Sequence, residues 1–524
     1  MNSSNPSNPT SRPEETSSRE LSGTVPPANL PGPGVGARVF QNTAILLIGR
    51  AASLLLSAAT SVLLARFLGH ERMGQYGAIY AYLALYSFLA TFGLGQILVR
   101  EASLRRSEAA QIFHTGTLLA LGFAVLGGVL APLLAPLFGY GGELRWLIAI
   151  AALDMLILPP LCIPGLVFQV DMRQWFSAGI SLVRQALWLV ALVLLVTGHA
   201  SFFYVIVART LCGVAEAVLI VSVSRRAGLL DGPRRFLRED ARGFLRDASP
   251  LVVNAIAVSI FYRIDQVMLH KMTGDSVLGP YVIAVQLIEL FSAIPGALLS
   301  SLFPALSRSA NDAPLFLHYL GTSYRFLLFV VFGLCATMAP VATPMILLLY
   351  GRDYLPTAAL LIVLIWSEVP LFFGTALSNA LIAKGLQRYL PAATIVGAVS
   401  NIALNLVVIP RYGAIGASWA TVFSYSFAGI FMYLLFKQTR PLTLLGLRIA
   451  APLFLLALGI HAALHFLSWP YWWKLLLACT VYVAGAALAG ILRKSEVDRF
   501  LSLLRFQKSS SPDSSQSGPG SHAL

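Results

Sequence analysis

The stretch YGAIYAYLALYSFLATFGLGQILVREASLRR, residues 76–106, decides how this chain is built. From Tyr76 to Val99 no side chain carries a charge, and then Arg100, Arg105 and Arg106 arrive together. About 20 apolar residues in helical conformation cross the hydrocarbon core of a bilayer, so the first part reads as a membrane-spanning helix. Basic residues gathered at a helix end mark the cytoplasmic side, so the second part orients it.

The same unit recurs along the 524 residues. Apolar blocks are expected at 43–66, 76–99, 111–137, 144–169, 175–197, 202–224, 246–271, 276–303, 322–348, 357–384, 389–409, 413–437, 444–467 and 471–492. They make an all-α polytopic membrane protein of about fourteen transmembrane helices. With 57% hydrophobic and 11% charged residues, too little polar surface remains to cover a soluble globule of this length.

Arginine and lysine fall mainly in every second gap. One side collects Arg100, Arg105, Arg106, Arg173, the run from Arg225 to Arg246, Arg308, Arg325, Lys384, Arg388, Lys437, Arg440, Arg448 and both tails, which is 26 of the 37 basic residues. The other side holds Arg66, Arg72, Arg145, Lys271, Arg352, Arg411 and Lys474. Both termini are therefore expected to be cytoplasmic, and the net charge of +14 is a topology signal. No basic stretch is interleaved with stacking aromatics, which argues against nucleic acid as a partner.

Internal repetition divides the chain. At an offset of 205, Gly69, Gly74 and Tyr76 coincide with Gly274, Gly279 and Tyr281, both sets on a short outer turn between a first and a second helix. RQWF (173–176) has a looser echo in QRYL (387–390). Two six-helix lobes in pseudo-twofold arrangement follow, 41–224 and 246–437, joined by a basic cytoplasmic linker, 225–245. Residues 438–492 supply two additional helices. The Ser- and Pro-rich segment 1–40 and the segment 493–524 read as disordered cytoplasmic tails. Cys162, Cys212, Cys335 and Cys479 all fall within helices without close spacing, as buried apolar side chains do.

Several segments, ARFLGHERMGQYG (65–77), FGLGQILVRE (92–101), the run from Phe261 to Arg308 and NIALNLVVIPRYGAIGASWAT (401–421), resemble the bacterial O-antigen and exopolysaccharide flippases. These belong to the multidrug, oligosaccharidyl-lipid and polysaccharide exporter superfamily. The resemblance covers roughly 40–440. It implies a multi-pass protein of the bacterial inner membrane that moves an undecaprenyl-diphosphate-linked oligosaccharide between leaflets by alternating access. Membrane lipid, a polysaccharide polymerase and glycosyltransferases are the partners it implies.

Nine ionisable residues lie inside the expected helices: Arg50, Asp154, Arg184, Arg209, Glu216, Arg263, Asp265, Glu289 and Glu368. A charge at membrane depth is costly, so such residues face a bundle interior or an aqueous cavity. Thr43, Arg50, Ser53, Ser57 and Ser61 share one face of the first helix, and Ser259, Tyr262, Arg263, Gln266 and His270 one face of the seventh. Guanidinium binds phosphate oxygens in a planar, often bidentate fork, which makes Arg50 and Arg263 the leading diphosphate ligands, with Arg184 and Arg209 beside them. Glu289, Glu368 and Glu216 suit ion coupling, since a buried carboxylate can exchange a proton or bind sodium. Each charge could instead pair within its lobe. Asp265 points away from Arg263 and is expected to hydrogen-bond to neighbouring helices, as Asn401 and Asn405 are.

Pro159, Pro160 and Pro164 should interrupt the fourth helix, Pro295 and Pro304 the eighth and Pro370 the tenth. No outer gap is long enough for a catalytic loop, and no nucleotide-binding phosphate loop or zinc-binding HExxH is present. The chain is therefore read as a transporter without catalytic residues, metal or cofactor. A cation-coupled multidrug exporter of the same superfamily, a peptidoglycan-precursor flippase, and a membrane polysaccharide polymerase or ligase are the competing readings.

Overall fold

The computed structural model describes residues 35–171, 173, 175–226 and 235–491. The tails at 1–34 and 492–524, and the middle of the basic linker, lie outside the described residues. Everything described is helix or short connection, and twelve helices are long and apolar enough to cross a membrane. Two of them, Ala52–Ala84 and Gln387–Leu434, each overlap two of the expected spans, divided at Gly69 (φ 69°, ψ 172°) and Gly413 (φ 54°, ψ −135°). The expected span 76–99 continues beyond Ala84 as Ser87–Thr91 and Leu94–Leu104. The fourteen apolar blocks are therefore all present. Large apolar side chains such as Leu55, Leu348, Phe466 and Leu488 lie open on the surface, as they must where the solvent is lipid.

Contacts sort the connections to two opposite ends. At one end Arg106 pairs with Asp171 at 2.5 Å and Arg105 with Asp240 at 2.9 Å, while Lys384 donates to the Ala310 carbonyl at 2.5 Å and Arg388 to Gln438 at 2.9 Å. These are the gaps rich in arginine. At the other end Arg66 donates to the carbonyls of Leu348 and Leu349, and Lys271 to that of Leu137.

The repeat is visible in the backbone. Gly274 (φ 87°, ψ 173°) takes the same positive-φ turn as Gly69, a conformation that costs glycine little. Arg66 and Lys271, also 205 apart, each cap the end of the other lobe's third helix. Between the lobes, Gly74 lies against the backbone of Asp275 while Gly279 lies against that of His70. Both pairs are related by the offset of 205, so one pseudo-dyad generates both, and small residues let the helices approach this closely. The two C-terminal helices, Arg440–Phe466 and Tyr471–Leu488, pack on the second lobe. Gly446 nests against Phe373 and Tyr324, and Tyr482 donates to the Phe329 carbonyl at 2.7 Å.

The fourth and tenth helices are broken near their prolines and the eighth just ahead of Pro295. Pro304, however, lies inside the continuous helix Ala293–Arg308 and does not interrupt it, since neighbouring groups in a membrane bundle can satisfy the freed carbonyl. The fourth runs as Glu143–Ala152, a π-turn at Leu153–Ile157 and short pieces through Pro159, Pro160 and Pro164. The eighth stops at Glu289 and resumes at Ala293, and the tenth passes through a 3₁₀ turn, Ile365–Ser367, before Glu368. Asp154, Glu289 and Glu368 thus each sit at an interruption of a helix, where backbone groups are freed and a charged side chain can be accommodated.

Candidate functional site

A cavity of about 370 Å³ opens between the lobes. Ser57 and Ser61 of the stripe expected on the first helix line it, with Thr60 beside them, while Ser53 accepts from Gln185 and is not part of the lining. Arg50 belongs to the same helix, but its side chain lies outside the described residues. Ser61 donates to Gln286 at 2.7 Å, joining the lobes across the cavity wall.

Arg184 and Arg209 also line the space, from helices Trp175–Thr197 and Phe202–Arg226. Asp154 connects them, with its carboxylate 3.4 Å from Arg184 and 3.3 Å from Arg209. Arg184 has a second partner in Glu216 at 3.2 Å. Arg209 also donates to the Tyr76 hydroxyl and lies over the Tyr80 ring, 4.3 Å from its centroid. The two arginine side chains are 32% and 30% exposed, whereas that of Asp154 is 4% exposed. The guanidiniums form the cavity face and the carboxylate supports them from behind, so their outer donors remain available to a ligand.

Arg209 and Glu216 are seven residues apart on one face of Phe202–Arg226 but do not pair with each other. Each turns instead to a residue of another helix, and Asp154 is the hub that helix-face arithmetic did not single out. The available signal was an acid five residues ahead of a Pro159–Pro160 pair, where helical geometry must yield.

Glu289 lines the central cavity too and pairs with Arg263 at 2.9 Å. It also borders a second cavity of about 360 Å³ inside the second lobe, with Tyr262, Asp265, Glu368, Thr421 and Tyr425. The stripe expected on the seventh helix is therefore split. Gln266 and His270 are buried, 3% and 9% exposed, rather than open to the central cavity. His270 meets Asp275 at 2.5 Å and stacks on Tyr140, because helices on both sides cover this face. Arg263 reaches the central cavity through its carboxylate partner.

Asp265 accepts from Tyr281 at 2.5 Å and from the Gln266 backbone at 2.8 Å, with Thr421 at 3.4 Å. That is the interhelical role expected of it. Asn405 donates to Asn401 and Asn401 to Ser424, at 2.8 and 2.9 Å, which ties two helices as expected. Glu368 is 3% exposed, and among the described residues one of its carboxylate oxygens has no hydrogen-bond partner and no cation pairs with it. The alternative, that these acids pair with arginines of their own lobe, holds for Glu289 and Glu216 and not for Glu368.

Residues 39–310 match the profile of a family described as polysaccharide biosynthesis protein. The fold is similar to that of a lipid II flippase, MurJ, in an inward closed conformation, with a TM-score of 0.68, 16% identity and coverage of 85% of this chain and 98% of that one. A multidrug resistance transporter of the MATE family of the MOP superfamily, in an inward-facing conformation, gives a TM-score of 0.55 at 15% identity, over 78% of this chain and 98% of that one. Among curated proteins, an uncharacterised membrane protein of Methanocaldococcus jannaschii is 28% identical over 32% of this chain and 34% of its own length. A probable multidrug resistance protein, NorM, of Halalkalibacterium halodurans is 25% identical over 40% of this chain and 48% of its own. The chain thus spans about a third and about half of these two relatives.

Proposed function

The chain belongs to the polysaccharide biosynthesis protein family, and from that premise we propose that it is a flippase that carries a polyprenyl-diphosphate-linked oligosaccharide across the membrane. The undecaprenyl carrier and the passage from the cytoplasmic to the periplasmic leaflet are part of this reading. The observation that carries it is the orientation of the cavity charges: Arg184 and Arg209 face the space while Asp154 is buried behind them. Charge-assisted bonds from guanidinium to phosphate are short and directional, and they strengthen where water is scarce. Arg50 and Arg263 complete the proposed ligand set, the latter by exchanging Glu289 for the diphosphate.

Two different closures support alternating access. The sparsely charged end is shut by backbone packed on backbone at Gly74 and Gly279. The arginine-rich end is shut by Arg100 with Asp247 and Arg105 with Asp240, whose arginines are 55% and 34% exposed, and by Phe244 and Ala248 buried against Leu94, Leu98 and Phe113. We assign the arginine-rich end to the cytoplasm, where exposed ion pairs contribute only about 0–1 kcal/mol each beside the apolar contact. Glu289 and Glu368, with Glu216 in the first lobe, are the groups proposed to couple an ion gradient to this motion.

The competing reading, export of amphipathic cations, draws on the partial likeness to NorM and on Glu289 at the cavity wall. Transport in proteoliposomes separates the two. A short fluorescent polyprenyl-diphosphate glycan should be translocated by the parent and at least about tenfold more slowly by Arg184→Gln and Arg209→Gln, given roughly 1.5–3 kcal/mol per charged hydrogen bond. Translocation of an organic cation instead, with no response to the glycan, would overturn the reading.

A further inference from the structure

The C-terminal helices border a groove separate from the central cavity. It measures about 490 Å³ and runs between the helix Ala313–Leu349 and the first turns of Arg440–Phe466. Lys437, Arg440 and Arg448 line it together with Leu317, Pro441, Leu444 and Leu445. It shares no lining residue with the central cavity. Lys437 lies next to Gln438, which Arg388 contacts, so the groove opens at the arginine-rich end.

Three cations gather here with no internal counter-charge. The sequence contains no Asp or Glu between Glu368 and Glu496, and among the described residues no ion pair involves Lys437, Arg440 or Arg448. Arg440 uses its Nε on the Leu434 carbonyl at 2.9 Å, which fixes the side chain and leaves its terminal amines free to donate. Arg440, Leu444 and Arg448 follow at intervals of four on one helix face, placing Arg448 about 12 Å along the axis from Arg440. A cation that far into an apolar helix faces the boundary between head groups and hydrocarbon. There the anions at hand are lipid phosphates, and arginine reaches them by extending toward the interface.

We propose that this groove is a binding site for an anionic glycerophospholipid. Lys437, Arg440 and Arg448 hold its phosphate, and its acyl chains lie along Leu317, Leu444 and Leu445. The lipid supplies the negative charge that residues 369–495 lack and seats the helix pair against the second lobe. Phosphate on an apolar tail is also the chemistry of a polyprenyl diphosphate. The groove's separation from the central cavity assigns it to a resident phospholipid instead.

The test uses the full chain, purified and stripped of lipid, then titrated with phosphatidylglycerol, cardiolipin or phosphatidylcholine and read by native mass spectrometry. The parent should retain the anionic lipids at least about tenfold more tightly than phosphatidylcholine, and the K437Q/R440Q/R448Q variant should lose that preference, since each cation at a membrane surface contributes about 1 kcal/mol. The exposed single variant Lys437→Glu should weaken it in the same direction should the triple variant not fold. Equal retention of phosphatidylcholine by the parent, or an undiminished preference in the variants, overturns the proposal. Displacement of phosphatidylglycerol by glycerol 3-phosphate at matched concentration would make it a soluble-anion site, and preferential binding of polyprenyl diphosphate would make it a substrate site; either result also overturns it.

Discussion

Replacing Gly74 or Gly279 by alanine should open the end of the protein closed by their contact. A Cβ on Gly74 falls 2.7 Å from the carbonyl carbon and 3.0 Å from the Cα of Asp275. One on Gly279 falls 2.8 Å and 3.2 Å from the corresponding atoms of His70. Carbon atoms rest at about 3.5–4.0 Å, so the lobes must part by roughly 1 Å at either position. These are backbone atoms inside helices and cannot swing aside as a side-chain tip does. Overpacking of this kind costs about 1–3 kcal/mol, charged only to the state in which the contact is made. The population of the state open at this end should then rise by about 5- to 150-fold. Ser61→Cys, in a background without the four native cysteines, provides the assay because Ser61 lines the cavity beside Tyr350. Membrane-impermeant maleimide added from the outside should label it faster by that factor in G74A and in G279A. The effects should be less than additive in the double variant, because both relieve one interface. Unchanged labelling in well-inserted variants would refute the argument that this contact holds the outer end shut.

Two further outcomes follow from the site and the topology. Asp154→Ala leaves Arg184 and Arg209 without their shared carboxylate, and breaking a buried ion pair costs about 3–5 kcal/mol, so membrane levels of the variant should fall. Adding Arg209→Met should restore those levels but not transport, which a purely structural cluster would recover; quantitative immunoblots beside glycan export read both. Cysteines placed at Arg242 and at Gly351 should be labelled from opposite sides of the membrane, the first from the cytoplasm, and labelling of both from one side would overturn the assigned orientation.

Much of this architecture was legible in the sequence because a bilayer imposes local rules. Span length and the sorting of arginines depend only on each segment and its flanks, so all fourteen blocks and the two ends of the molecule could be assigned from residues near one another in the chain. The offset of 205 was equally readable, since it rests on glycines that a tight turn and a close crossing require. Ser57 and Ser61 showed the cavity-facing side of the first helix for the same reason. What helix-face arithmetic could not supply was the partner across the gap. Arg209 and Glu216 share a face but turn to Asp154 and Arg184, because attraction between charges follows distance between helices rather than position along one. Gln266 and His270 carry the polar pattern of a cavity stripe, yet tertiary packing buries them and gives His270 to Asp275 and Tyr140. Membrane segments are written one at a time in the sequence; which charge meets which, and which is left facing the cavity, is decided only when the lobes close around it.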